Sequence, residues 1–218
     1  MTVIRWLAIA LLLIGCCHGT YAQPIVDPRL PRAFVGAGVG MATADADSRM
    51  RLNDGSALVW LFEGGASVSS RFGIGVELFQ PSVLTGSTSG ISFTSAGRQI
   101  ERVLVGLVRA RVGASDRLAV DLVGGGGVLF QHHELRNGPC SGCPITFQSD
   151  FDQRAPAFVA GVDVPVRAGR HFEVDPTVRY YALQRGDHTT ALPNIVPWQF
   201  EFKSSARLAF VINGRARW

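Results

Sequence analysis

The chain has 218 residues, 47% of them hydrophobic and 17% charged, with a formal net charge of +4, which is a one-domain length with ample apolar side chains for a core or a membrane face. The positive charge comes from arginine, Lys203 being the only lysine, and there is no basic run of the kind that follows a nucleic-acid backbone. Beyond residue 22 no stretch approaches the ~20 consecutive apolar residues that a membrane-spanning helix needs.

Residues 1–22 read as a secretory signal peptide. Arg5 supplies the positive start, Leu7 to Gly15 an apolar run too short to span a bilayer, and Thr20-Tyr21-Ala22 small residues at a cleavage site. Leu13-Ile14-Gly15-Cys16 resembles the lipobox of bacterial lipoproteins, and cleavage there would leave Cys16 lipidated. The well-formed site after Ala22 is preferred, leaving residues 23–218 as one domain.

A proline-bearing lead-in (Pro24, Pro28, Pro31) precedes a first strand over 33–42, and a polar loop with Asp45 and Asp47 follows. The second strand, 57–68, puts Leu58, Trp60, Phe62, Ala66 and Val68 on one face. A tight turn leads into 72–80, where Phe72, Ile74, Val76 and Leu78 oppose Gly73, Gly75 and Glu77. Residues 81–98 form a Ser/Thr/Gly loop with strand extensions around 91–94. The fourth strand spans 99–112 and the fifth 118–133.

In the fifth strand, Gly124 to Gly127 resemble a phosphate loop only superficially. No Lys-Ser/Thr follows and no helix starts there, so a strand bend or bulge is expected. Residues 134–154 form a long loop carrying Cys140 and Cys143, and the remaining strands are 155–167, 172–183 and 198–218. On the seventh, Phe172, Val174, Val178 and Tyr180 oppose Glu173, Asp175, Thr177, Arg179 and Tyr181.

The last strand ends LAFVINGRARW. Leu208, Phe210, Ile212, Gly214, Ala216 and Trp218 alternate with Ala209, Val211, Asn213, Arg215 and Arg217. An amphipathic strand ending on an aromatic residue resembles the C-terminal signal of bacterial outer-membrane β-barrels, with Phe210, Ile212 and Trp218 as the insertion signal. Eight strands joined alternately by long and short links extend that resemblance, on architecture and not on a family-specific motif, to the small barrels of the OmpA, OmpX and OmpW kind.

The fold class is therefore all-β, an eight-stranded antiparallel up-and-down transmembrane barrel. Closure pairs the last strand with the first, and short turns and both chain ends lie on the periplasmic side. Aromatic girdles are expected from Phe72, Phe172 and Trp218 at that end and from Trp60, Phe130, Phe158, Tyr180 and Phe202 near the long loops. A soluble barrel would place apolar side chains inside and charge outside, without two girdles.

The opposite faces carry Glu63, Glu77, Glu101, Arg109, Arg111, Asp121, Asp163, Glu173, Asp175, Arg179, Glu201, Lys203 and Arg207. Eight strands leave room inside only for side chains, so these groups should form a paired lumen ion network. The register of strands one and four is left open. Val103, Val105 and Leu107 would point inward with Arg109, which is more apolar than a lumen requires.

Cys140 and Cys143, in Pro-Cys-Ser-Gly-Cys-Pro, are expected to form a local disulfide in an exported protein. A redox CxxC would want a following helix and a zinc site a second ligand pair. His132, His133 and Glu134 with Ser149 are the set nearest to a hydrolase constellation, but rim polar residues beside a loop explain them as well. No catalytic residue, cofactor or metal site is assigned.

The sequence thus implies a monomeric, non-enzymatic barrel of structural or surface-interaction role in the outer membrane of a Gram-negative bacterium. Its partners would be outer-membrane lipid and lipopolysaccharide, and the barrel assembly machinery during biogenesis; nothing in the loops names a ligand. The alternatives are a narrow passive pore for small hydrophilic solutes and a lipid A-modifying barrel enzyme.

Overall fold

The computed structural model describes residues 33–44, 55–82, 84–89, 94–115, 117–137, 148–183, 188–190, 198–200 and 205–218. Its elements are β1 (Ala33–Ala44), β2 (Gly55–Ser67), β3 (Phe72–Pro81), β4 (Leu84–Ser89), β5 (Thr94–Ala114) and β6 (Ala119–Asn137). They continue with β7 (Gln148–Asp163), β8 (Val166–Arg167), β9 (Phe172–Leu183), β10 (His188–Thr190), β11 (Trp198–Phe200) and β12 (Ser205–Arg217).

The eight long strands run β1-β2-β3-β5-β6-β7-β9-β12, each antiparallel to the next. The ring closes where β12 pairs β1, from Phe34↔Arg217 to Ala42↔Ala209. On its other side β12 pairs β9, from Ser205↔Leu183 to Ala216↔Phe172. Closure leaves none of the eight as an open edge. β4 folds back on β5, β8 on β9, and β10 pairs β11 as a separate two-stranded sheet.

The three tight connections lie at one end. Phe72 O accepts from the amides of Val68 and Ser69 at 2.9 and 3.0 Å, and Ser69 Oγ accepts from Phe72 N at 3.0 Å. Ser115 N donates to Leu118 O at 2.7 Å, and Ala168 N to Phe172 O at 3.0 Å. Trp218 N donates to Ala33 O at 3.3 Å, so β1 starts and β12 finishes at this same end.

Alternation decides which way each side chain points, and apolar groups point both ways. Val39, Trp60, Ile74, Val108, Leu122, Phe158, Val178 and Ile212 are exposed on the outer wall, while Glu63, Asp163, Arg179 and Arg215 are buried inside. The open registers are settled: on β1, Phe34 and Ala42 face in and Val35, Val39 and Met41 face out. On β5, Val103, Val105 and Leu107 face in with Arg109.

Several expectations need correction. The loop assigned to 81–98 contains β4, and β5 begins at Thr94, because the two pair from Leu84↔Gln99 to Ser89↔Thr94. β6 and β7 reach beyond the predicted limits, pairing as far as Arg136↔Gln148, in sequence polar enough to read as loop. The predicted strand 155–167 breaks after Asp163, where Pro165 has no amide to donate, and resumes only as β8. The predicted strand 198–218 is divided too: Trp198–Phe200 pairs with β10, and only Ser205–Arg217 belongs to the ring.

Gly124 to Gly127 do not bulge the strand, since pairing to β5 and β7 passes through them without a shift. The register shift in the β5–β6 pairing lies instead between Arg111 and Gly113. What the glycines provide is clearance. A Cβ on Gly127 would stand 1.9 Å from Leu104 O on the neighbouring strand, so only glycine fits at this inward position.

Candidate functional site

The lumen is filled in tiers. Nearest the long loops, Glu101 of β5 accepts from Arg207 Nη2 of β12 at 3.1 Å and from Gln131 Nε2 of β6 at 2.9 Å. Below it lies an apolar tier of Val59, Leu61, Phe79, Val103, Val105, Leu129, Tyr181 and Leu183, each at most 1% exposed. Phe79 and Tyr181 meet with ring centroids 4.2 Å apart. Lower still is the charged tier.

Asp163 is the hub of that tier. Its carboxylate accepts from Arg109 Nε at 3.1 Å, Arg215 Nη2 at 2.8 Å, Thr177 Oγ1 at 2.9 Å, and also from Arg179. Glu63 accepts from both Arg109 and Arg215, the second through Nη2 at 3.0 Å. Glu77 accepts from Arg179 Nε at 3.0 Å and from the Tyr181 hydroxyl at 2.7 Å, and Arg215 Nη2 lies 2.6 Å from Asp175. A buried carboxylate is tolerable only when paired in this way, although Asp175 Oδ1, Arg109 Nη1 and Arg179 Nη2 have no hydrogen-bond partner among the described residues.

Two pairs guard the short-turn mouth. Arg111 forms a two-pronged bond to Asp121, at 2.8 and 3.0 Å, and Arg217 Nη1 reaches Glu173 Oε1 at 2.5 Å. Phe34 plugs this end, with the guanidinium carbons of Arg109 and Arg215 at 5.0 and 5.2 Å from its ring centroid. A depression outside the plug is lined by Arg71, Arg111, Asp121 and Arg217 among others.

Of the expected lumen residues, Glu77, Arg109, Arg111, Asp121, Asp163, Glu173, Asp175, Arg179 and Arg207 lie inside in these contacts; Glu201 and Lys203 lie outside the described residues. Sequence reasoning missed Arg215, which joins Glu63, Asp163 and Asp175. Alternation from Val211 through Asn213 already put it on the inward face. The apolar tier was missed as well, although Val103, Val105 and Leu107 gave its signal.

On the outer wall, Phe72, Phe172 and Trp218 lie at the short-turn end, and Trp60, Phe130, Phe158 and Tyr180 toward the long loops, all exposed. Phe210 and Ile212 also face outward, 57% and 63% exposed. Phe202, Cys140, Cys143, Asp45, Asp47 and the signal segment lie outside the described residues. His132 Nδ1 lies 2.8 Å from Asp152 Oδ1, and its Nε2 3.8 Å from Glu134 Oε1. Among the described residues no group of three or more His, Cys, Asp or Glu side chains is arranged to hold a metal.

The chain is similar to Ail, the attachment invasion locus protein of Yersinia pestis, with 9% identity and a TM-score of 0.53, over 87% of this chain and 100% of that one. Against a major outer membrane protein from Thermus thermophilus the identity is 9% and the TM-score 0.57, again over 87% of this chain and 100% of the other. No protein-family model and no curated protein sequence matches the chain. At this identity the likeness is one of fold, and the fold is that of the small bacterial outer-membrane β-barrels.

Proposed function

We propose that the protein is an integral outer-membrane barrel with a closed lumen, non-enzymatic, whose role is structural or exercised through its long loops at the surface. The observation that carries this reading is the inversion of polarity. Apolar side chains ring the outer wall on all eight strands, while the arginine–carboxylate pairs are inside. In water such a wall would be an aggregation surface; in lipid it is the favourable face. The pairing of every strand edge in the ring supports the same reading, because hydrocarbon leaves no water to satisfy open backbone groups.

Folding into phosphatidylcholine vesicles tests it. The protein should give a heat-modifiable band and β-type circular dichroism, and the eight long strands should be protected from added protease. Full digestion, or a water-soluble monomer that ignores vesicles, would overturn the reading. Mass spectrometry of lipid A from cells with and without the protein addresses the enzyme alternative: a mass change that depends on the protein would replace the non-enzymatic assignment.

A further inference from the structure

Among the described residues, the outward faces of β1, β2, β3, β9 and β12 carry no charged side chain. On the eight ring strands, outward charge among the described residues is confined to one corner, on β5, β6 and β7 toward the long loops. There Arg102, Phe130 and Arg154 are register partners in a single row. All three are exposed, and the Arg154 guanidinium carbon stands 5.7 Å from the Phe130 ring centroid. Among the described residues neither arginine has a carboxylate partner.

The row's height gives it meaning. Arg102 stands ten residues along β5 from Val112, which faces out near the short turns, and about 9–11 residues of tilted strand cross a bilayer core. The arginines therefore fall at the outer edge of the apolar band, where headgroup phosphates lie. Two strands apart, they are separated by about 10 Å. Below them the row Leu104, Val128 and Pro156 is exposed and uncharged. Above them His132 is engaged with Asp152 and Glu134, and Asp150 follows.

We propose that Arg102 and Arg154, spaced by Phe130, form a binding site for the phosphate of an outer-leaflet lipid on this one wall of the barrel. Guanidinium groups match phosphate oxygens two at a time. A phosphate carried on acyl chains comes up along the exposed, uncharged Leu104 and Val128. That apolar approach favours a lipid over a free anion. The inference rests on the outer-membrane reading and adds to it a side, a depth and a ligand chemistry.

Native mass spectrometry of the full chain, refolded in detergent, tests it with bis-phosphorylated lipid A and with the same lipid dephosphorylated. Wild type should retain the phosphorylated lipid roughly tenfold better. The double variant Arg102→Gln/Arg154→Gln should lose that preference, while Arg71→Gln/Arg170→Gln, with the same charge removed at the other end, should keep it. Excess inorganic phosphate should not displace the lipid. Absence of a preference in wild type, equal loss in both variants, or displacement by phosphate would overturn the site.

A photo-crosslinking residue at Val128, compared with one at Val39 on the opposite wall, keeps the proposal testable should the double variant fail to fold. Crosslinking of the phosphorylated lipid should be confined to Val128, and equal crosslinking at both sinks the idea. Failure to insert into vesicles would reject the barrel reading itself, whereas insertion without phosphate preference rejects this site alone.

Discussion

Arg179 on β9 donates from Nε to Oε2 of Glu77 on β3 at 3.0 Å, joining two strands that stand opposite each other in the ring of eight. Both side chains are fully buried. Arg207 of β12 and Glu101 of β5 make a second crossbar, also between opposed strands. Between these two bonds lies the apolar tier. Among the described residues, three unlike materials are thus stacked along the lumen axis, as expected where eight strands leave room inside mainly for side chains.

Breaking the first crossbar should be costly, because it leaves the buried Arg179 with only one of its two carboxylate partners. Glu77→Ala removes the acceptor of both Arg179 and Tyr181 and should destabilise the folded barrel by about 3–5 kcal/mol. In a double-mutant cycle with Arg179→Ala, measured by urea unfolding in vesicles, the two losses should be far from additive. Additive effects would mean that the pair contributes nothing as a pair.

Glycine placement gives a sharper contrast. Gly127→Ala places a methyl group 1.9 Å from Leu104 O, whereas on outward-facing Gly106 the nearest atom would be Gly126 O at 3.9 Å. The first substitution should cost about 1–3 kcal/mol or more through forced backbone movement, and the second should be neutral. Comparable urea midpoints for the two would contradict the inward assignment of Gly127.

The alternation that makes this contrast was legible in the chain. Period two placed Phe72, Ile74 and Val76 outside and Glu77 inside without reference to any partner. The long reach of β5 and β6 was not, because residues such as Arg98, Gly97 and Asn137 look like loop and are held in strand by pairing with each other's strand. Likewise, which arginine meets which carboxylate depends on the shear of the ring, which no single strand encodes. Arg215 could be placed inward from its neighbours, but its three partners come from β2, β7 and β9.

Trp218 and Arg217 separate the two faces at the end of β12. Trp218 is 65% exposed on the outer wall, and Arg217 is paired to Glu173. Trp218→Asp should lower the heat-modifiable fraction in outer-membrane preparations sharply, beyond the about 1–3 kcal/mol of lost aromatic burial in lipid. Arg217→Ser, which gives up a partly exposed ion pair, should lower it much less. Equal, near wild-type fractions would remove Trp218 from the insertion signal.

Cys140 and Cys143 are expected to be oxidised and on the outer surface. A membrane-impermeant thiol reagent should label intact cells only after reduction. Labelling without reduction would reject the disulfide, and none after reduction would reject the loop placement.

Planar-bilayer conductance tests the closed lumen most directly. Pure, heat-modifiable protein should insert without producing unitary current steps, since ions would have to pass Leu61, Phe79, Val105, Leu129 and Tyr181, each at most 1% exposed. Discrete, reproducible openings of one size from that preparation would contradict the sealed barrel and replace it with a narrow pore.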